Sequence, residues 1–219
     1  MENSPLQWQL TEAIRSDTSR PIIPTTRKTR QAGEVQLRNR LLNTPFGVRA
    51  VAEHELVWLA RKQIEFSRSY TLTLLGDVAE EEWLIQPTGG VTHLAWQVGH
   101  LAMAQYMLTL FRLRGKLPED ESLIPKAFLK RFVKGSTPEG DPSKYPRAGE
   151  ILDVFHRVYA RLIEELPEYG DADLDGKVVE PYAVFDTKLG SLFFCASHEM
   201  LHAGQIGLIR RLLGKPPVR

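Results

Sequence analysis

The chain has 219 residues, 42% hydrophobic and 25% charged, with 16 Gly and 14 Pro, a globular composition that excludes collagen-like, mucin-like and wholly disordered chains. Twenty-eight Lys and Arg against 27 Asp and Glu leave a net charge of +1, which argues against a dedicated nucleic-acid partner. The single cysteine, Cys195, excludes an intramolecular disulfide and Cys-rich zinc modules, and suits a reducing, cytoplasmic compartment.

Residues 18–50 carry seven basic residues against one acid, Glu34, together with three prolines. They show no sustained periodicity, and such a stretch cannot bury enough apolar surface to fold alone. Residues 1–50 are therefore expected to be a basic, poorly ordered extension ahead of a folded unit at 51–219. Residues 1–50 hold 8 basic and 4 acidic residues, leaving 20 against 23 for the rest. No segment reads as a signal peptide or as a membrane span.

From Ala52 the pattern turns helical. In 53–76, Leu56, Leu59, Gln63, Phe66, Tyr70 and Leu74 recur at spacings of three and four, and Gly76 supplies a stop. Thr92 is a candidate cap for a second helix running to about Arg114, ahead of Gly115. Residues 115–147 are rich in Pro, Gly, Lys and Asp and read as a long crossover with one short helix at 124–133. The third helix, 148–166, presents Leu152, Phe155, His156, Tyr159, Leu162, Ile163 and Leu166, and breaks at Pro167. The fourth, 189–213, stops at Gly214 and Pro216-Pro217. The strand-like segment 182–187 is too isolated to alter the class. These elements predict an all-α four-helix bundle with a long crossover between its second and third helices.

The placement of the histidines carries the chemistry. At about 100° per residue, His202 falls about 40° from His198, within an inward stripe that includes Ser191, Phe194, Cys195, Gln205 and Ile209. Two imidazoles four residues apart on one helical face can chelate one cation. On the second helix, His100 shares an inward stripe with His93, Trp96, Met103, Ala104, Met107 and Phe111. Three inward imidazoles, His100, His198 and His202, make a three-nitrogen site with an open position. His93 and His156 also point inward by phase, and with Gln205 they are candidates to support the ligands or move a proton. Cys195 reads as a small buried helix residue.

His198-Glu199-x-x-His202 also fits a zincin peptidase with Glu199 as general base. That chemistry needs a third ligand downstream, and none of the 17 residues after His202 is His, Asp or Glu. Glu199 also lies about 100° from His198 and leaves the site. A di-iron carboxylate bundle needs Glu-x-x-His twice, and Asp153–His156 is an imperfect second copy.

The segments His-Leu-Ala-Trp-Gln-Val-Gly-His-Leu-Ala at 93–102 and His-Glu-Met-Leu-His-Ala-Gly-Gln at 198–205, with Tyr145-Pro146 and Glu150 opening the third helix, resemble the DinB/YfiT-like superfamily, particularly its second DinB branch. The likeness covers roughly 51–219. It implies an up-down-down-up four-helix bundle whose metal-binding histidines fall on His100, His198 and His202. Members with known activity are metal-dependent transferases that use bacillithiol, mycothiol or glutathione, including a maleylpyruvate isomerase. The resemblance thus implies a divalent cofactor, zinc first and nickel, iron or manganese as alternatives, with a small-molecule thiol and an electrophilic substrate as partners. Homodimers are frequent among similar proteins. The alternative is a non-catalytic metal-binding or stress-associated bundle. Neither reading involves nucleic acid or a membrane.

Overall fold

The computed structural model describes residues 55–87, 92–180 and 185–218, all within one compact unit, Val51–Arg219. The expected extension at 1–50 lies outside the described residues, as does the first half of the strand-like segment; Thr187 pairs with Lys177 in an isolated bridge. The described residues are all-helical. In chain order the α-helices are α1 (Glu55–Leu75), α2 (Leu94–Leu108), α3 (Leu110–Arg114), α4 (Asp120–Leu123), α5 (Lys126–Arg131), α6 (Ala148–Glu165), α7 (Asp171–Leu174) and α8 (Lys188–Leu212). None of them is long and apolar enough to cross a membrane.

The expected second helix is two. Its start is capped by His93 rather than Thr92: the His93 backbone is extended and its Nδ1 accepts from the Trp96 amide. Thr109 leaves helical geometry at φ −118°, ψ −91°, separating α2 from α3, which ends at Gly115 with φ +85°, a left-handed conformation that favours glycine. The crossover contains α4, α5 and a 3-10 turn at Pro142–Lys144 instead of one short helix. Arg114 anchors its first part by pairing with both Asp120 and Glu165. At the fourth long helix, Thr187 accepts from the Gly190 amide as an N-cap.

Packing decides which faces are buried. Helix α2 lies against both α6 and α8, so it is buried on nearly all sides, as its apolar sequence requires. Helix α1 packs on α8 through Val57, Ala60, Ile64, Ser67, Arg68, Thr71 and Leu74. The expected stripe was therefore rotated by about one residue: Leu59 and Phe66 are exposed, at 41% and 53%, and so is Gln63. The reason is Arg68. Its guanidinium is buried at the meeting point of the four long helices, donating to Glu199 on α8 (3.0 Å), the Phe155 carbonyl on α6 (2.8 Å) and Gln105 Oε1 on α2 (2.8 Å). It also stacks 3.3 Å from the Phe155 ring centroid. A charge so far from water is tolerated only when paired and hydrogen-bonded, and this hub sets the rotation of α1. In α6 the buried stripe runs through Ile151, Val154, Phe155, Val158 and Leu162. His156, one residue beyond Phe155, is exposed.

Candidate metal centre

His100, on the second turn of α2, meets His198 and His202, one turn apart on α8. One ring nitrogen from each lies within 4.8 Å of the other two, and the ring centroids stand 5.4, 4.8 and 4.6 Å apart. His100 and His202 are buried, and His198 is partly exposed.

The surroundings fix two of the three tautomers. His100 Nδ1 lies 2.8 Å from the Phe132 carbonyl oxygen; a carbonyl only accepts, so Nδ1 carries the proton and Nε2 keeps its lone pair. His202 Nδ1 lies 2.5 Å from Gln97 Oε1. The Gln97 amide is itself oriented, because its Nε2 donates to Thr92 Oγ1 (3.0 Å) and Gln205 Oε1 (2.9 Å). His202 therefore also offers Nε2. Trp96 stacks on His100, with centroids 4.7 Å apart and planes 7° from parallel, and is held by its indole N–H to Ser136 Oγ.

Gly99 makes the Phe132 contact possible. A Cβ there would stand 2.3 Å from the Phe132 ring, so only glycine lets that ring press onto α2 and deliver its carbonyl to His100. Phe132 is fully buried, which ties the crossover to the centre.

All three imidazoles are neutral at pH 7. Burial, with a smaller push from His100 and for His202 also from His198, holds His198 down to about 4 and His202 to about 3. Burial also lowers His100, reinforced by the charge of Lys134. Neutral imidazoles with free lone pairs are the form that binds metals. Three such nitrogens within 4.8 Å of one another are near enough to serve one ion. The donor set fits a divalent cation.

The other candidates lie elsewhere. His93 is fully buried; besides capping α2, its Nε2 donates to the Glu139 carbonyl at 3.1 Å. It pins the crossover and does not join the triad. His156 faces outward. Gln205 acts on His202 only through Gln97, a residue the helical phase did not single out. Glu199 turns away, as expected, but into the buried ion pair with Arg68 rather than to the surface. Cys195 is buried on that same side, its thiol pushed up by burial and by the Glu199 charge.

A cavity of about 480 Å³ opens beside the triad. His100 and His198 line it, together with Met103, Met107, Leu129 and Val133, while Lys130 and Lys134 stand at its rim. The partly exposed imidazole, His198, is thus on the cavity side.

No curated protein matches the sequence. The family profile of the DinB superfamily matches residues 63–206, a span that holds the three converging histidines, Gln97, Gln205 and the crossover between them. The chain belongs to the DinB superfamily.

Proposed function

We propose that this protein is a cytoplasmic, metal-dependent transferase in which His100, His198 and His202 hold one divalent ion, zinc in preference to nickel, iron or manganese. In this reading the four long helices form the up-down-down-up bundle of the family. The observation that carries the proposal is the cavity: two of the three imidazoles line it, so an ion held by His100, His198 and His202 would lie beside a space of substrate size. When bound, such an ion lowers the pKa of a coordinated thiol from about 8.5, so that the thiol ionises at neutral pH and becomes a nucleophile.

The chain's own residues prepare that chemistry. The Phe132 carbonyl and Gln97 Oε1 hold His100 and His202 with their Nδ1 protons bound, which fixes ring orientation and raises ligand basicity. Trp96 covers one face of His100 and keeps water from it. The apolar walls hold an electrophile close to the thiol. Among the described residues no acidic side chain lines the cavity, and this scheme uses no carboxylate base.

The test is conjugation of glutathione, bacillithiol or mycothiol to a soluble electrophile by the zinc-loaded protein. Turnover that disappears on chelation and in His198→Ala is the expected result. Conjugation equal in the wild type and His198→Ala, or no conjugation with any of the three thiols, would leave the triad as a structural metal site.

A further inference from the structure

The cavity beside the triad has a chemical character of its own. Its inner wall is mostly aliphatic and thioether, from Met103 and Met107 on α2 to Leu129 on the crossover, with exposed Val133 at its edge; Arg112, a buried cation in that wall, donates to the Met107 carbonyl. Methionines are adaptable and polarisable, suited to apolar ligands of varied outline. The rim is different. Lys130 and Lys134, four residues apart, both border the opening, and among the described residues no Asp or Glu lines the cavity. Among the described residues neither lysine forms an ion pair, although nine other Lys and Arg side chains do. The cavity thus pairs a largely apolar interior with two lysine ammonium groups, free of ion pairs, at its mouth.

We infer that the electrophilic substrate is a small apolar carboxylate, its hydrocarbon body against Met103, Met107 and Leu129 and its carboxylate between Lys130 and Lys134. This rests on reading the triad as a reaction centre, and it names the substrate class of that centre. Low-molecular-weight thiols are polar along their length and gain little from a thioether wall. The apolar space therefore belongs to the second reactant. Two ammonium groups at one end then set its orientation, carboxylate outward and the opposite end toward His100 and His198.

The test separates this assignment from metal binding. Calorimetric titration of chelator-treated protein with 4-phenylbutyrate, and in parallel with the neutral 4-phenylbutanamide, removes any contribution from a carboxylate ligating an ion. The wild type is expected to bind the acid at least tenfold more tightly than the amide, with an advantage that shrinks as salt is raised. The double variant Lys130→Gln/Lys134→Gln is expected to bind both alike, at the affinity of the amide for the wild type. Both lysines are exposed, so this variant keeps the fold. Met107→Glu, which sets a carboxylate in the wall, is expected to abolish binding of the acid while circular dichroism stays unchanged. Equal affinity for acid and amide in the wild type, a preference that survives in the double variant, or no binding of either compound would overturn the assignment. A protein that passes this test but binds no metal would refute the transferase reading instead.

Discussion

Replacing Glu199 with alanine distinguishes a structural carboxylate from a catalytic one. The side chains of Arg68 and Glu199 are each only 3% exposed, so solvent screening does little, and removing one partner of such a pair costs about 3–5 kcal/mol. The arginine left behind keeps the Phe155 carbonyl, Gln105 Oε1 and the Phe155 ring, which places the expected loss near the lower end, about 3 kcal/mol. For a domain of this size that corresponds to a fall in Tm of roughly 6–12 °C. Urea denaturation of the wild type, Glu199→Ala, Arg68→Met and the double variant Arg68→Met/Glu199→Leu measures it. The double variant should lose less than either single one, because an apolar pair leaves no buried charge unpartnered. Zinc stoichiometry should stay unchanged in Glu199→Ala, since the carboxylate points away from the triad. The reasoning fails if Glu199→Ala is within 1 kcal/mol of the wild type, or if it folds normally and loses its metal.

Gln97→Leu keeps the volume and removes the acceptor for His202 Nδ1–H; competition against a chromophoric chelator should show zinc binding 10- to 100-fold weaker, and an unchanged affinity would deny Gln97 its role. Gly99→Ala forces the Phe132 ring off α2, costs about 1–3 kcal/mol as overpacking does, and should weaken zinc binding through His100; a stable variant with normal affinity would count against that linkage. His93 is held down to about 4 by burial, against an ordinary value near 6.5. The unfolded chain therefore takes up its proton first, and the contribution of His93 to stability is present above about pH 6.5 and lost as the pH falls toward 4. Asparagine caps helices without titrating, so urea midpoints of chelated His93→Asn should fall less between pH 7.5 and 5 than those of the wild type; parallel curves would contradict the sign.

The convergence of His100, His198 and His202 is legible because helical phase is a local property: once two helices face each other, residues four apart on one of them and the inward residue of the other meet. The ends of α6 and α8 are readable for a similar reason, since Pro167, Gly214 and Pro216-Pro217 act within a turn of themselves. Helix α1 shows where such reading stops. Leu59 and Phe66 look like core and Arg68 like surface until α8 brings Glu199, and α2 and α6 bring Gln105 and the Phe155 carbonyl, to surround the guanidinium. His93 and His156 share the limit. Helical phase assigns both inward, but one spends its nitrogens on a cap and a crossover carbonyl, and the other sits one residue outside a stripe defined by packing partners. Gln97 and Gly99 are inconspicuous in sequence because their partners, His202 and Phe132, are distant along the chain. The Thr92 cap failed on a smaller point: the helix starts one residue later, where the His93 imidazole takes the Trp96 amide and the Thr92 hydroxyl accepts from Gln97 instead.

The account stands or falls on whether the three imidazoles hold one ion. Elemental analysis of untagged protein after equilibration with zinc, nickel or manganese and removal of the free metal, repeated on His100→Ala, His198→Ala and His202→Ala, tests it directly. One divalent ion per chain in the wild type and less than a tenth of that in each variant is the predicted result; a wild type that retains none of the three, or variants that retain a full equivalent, would contradict it.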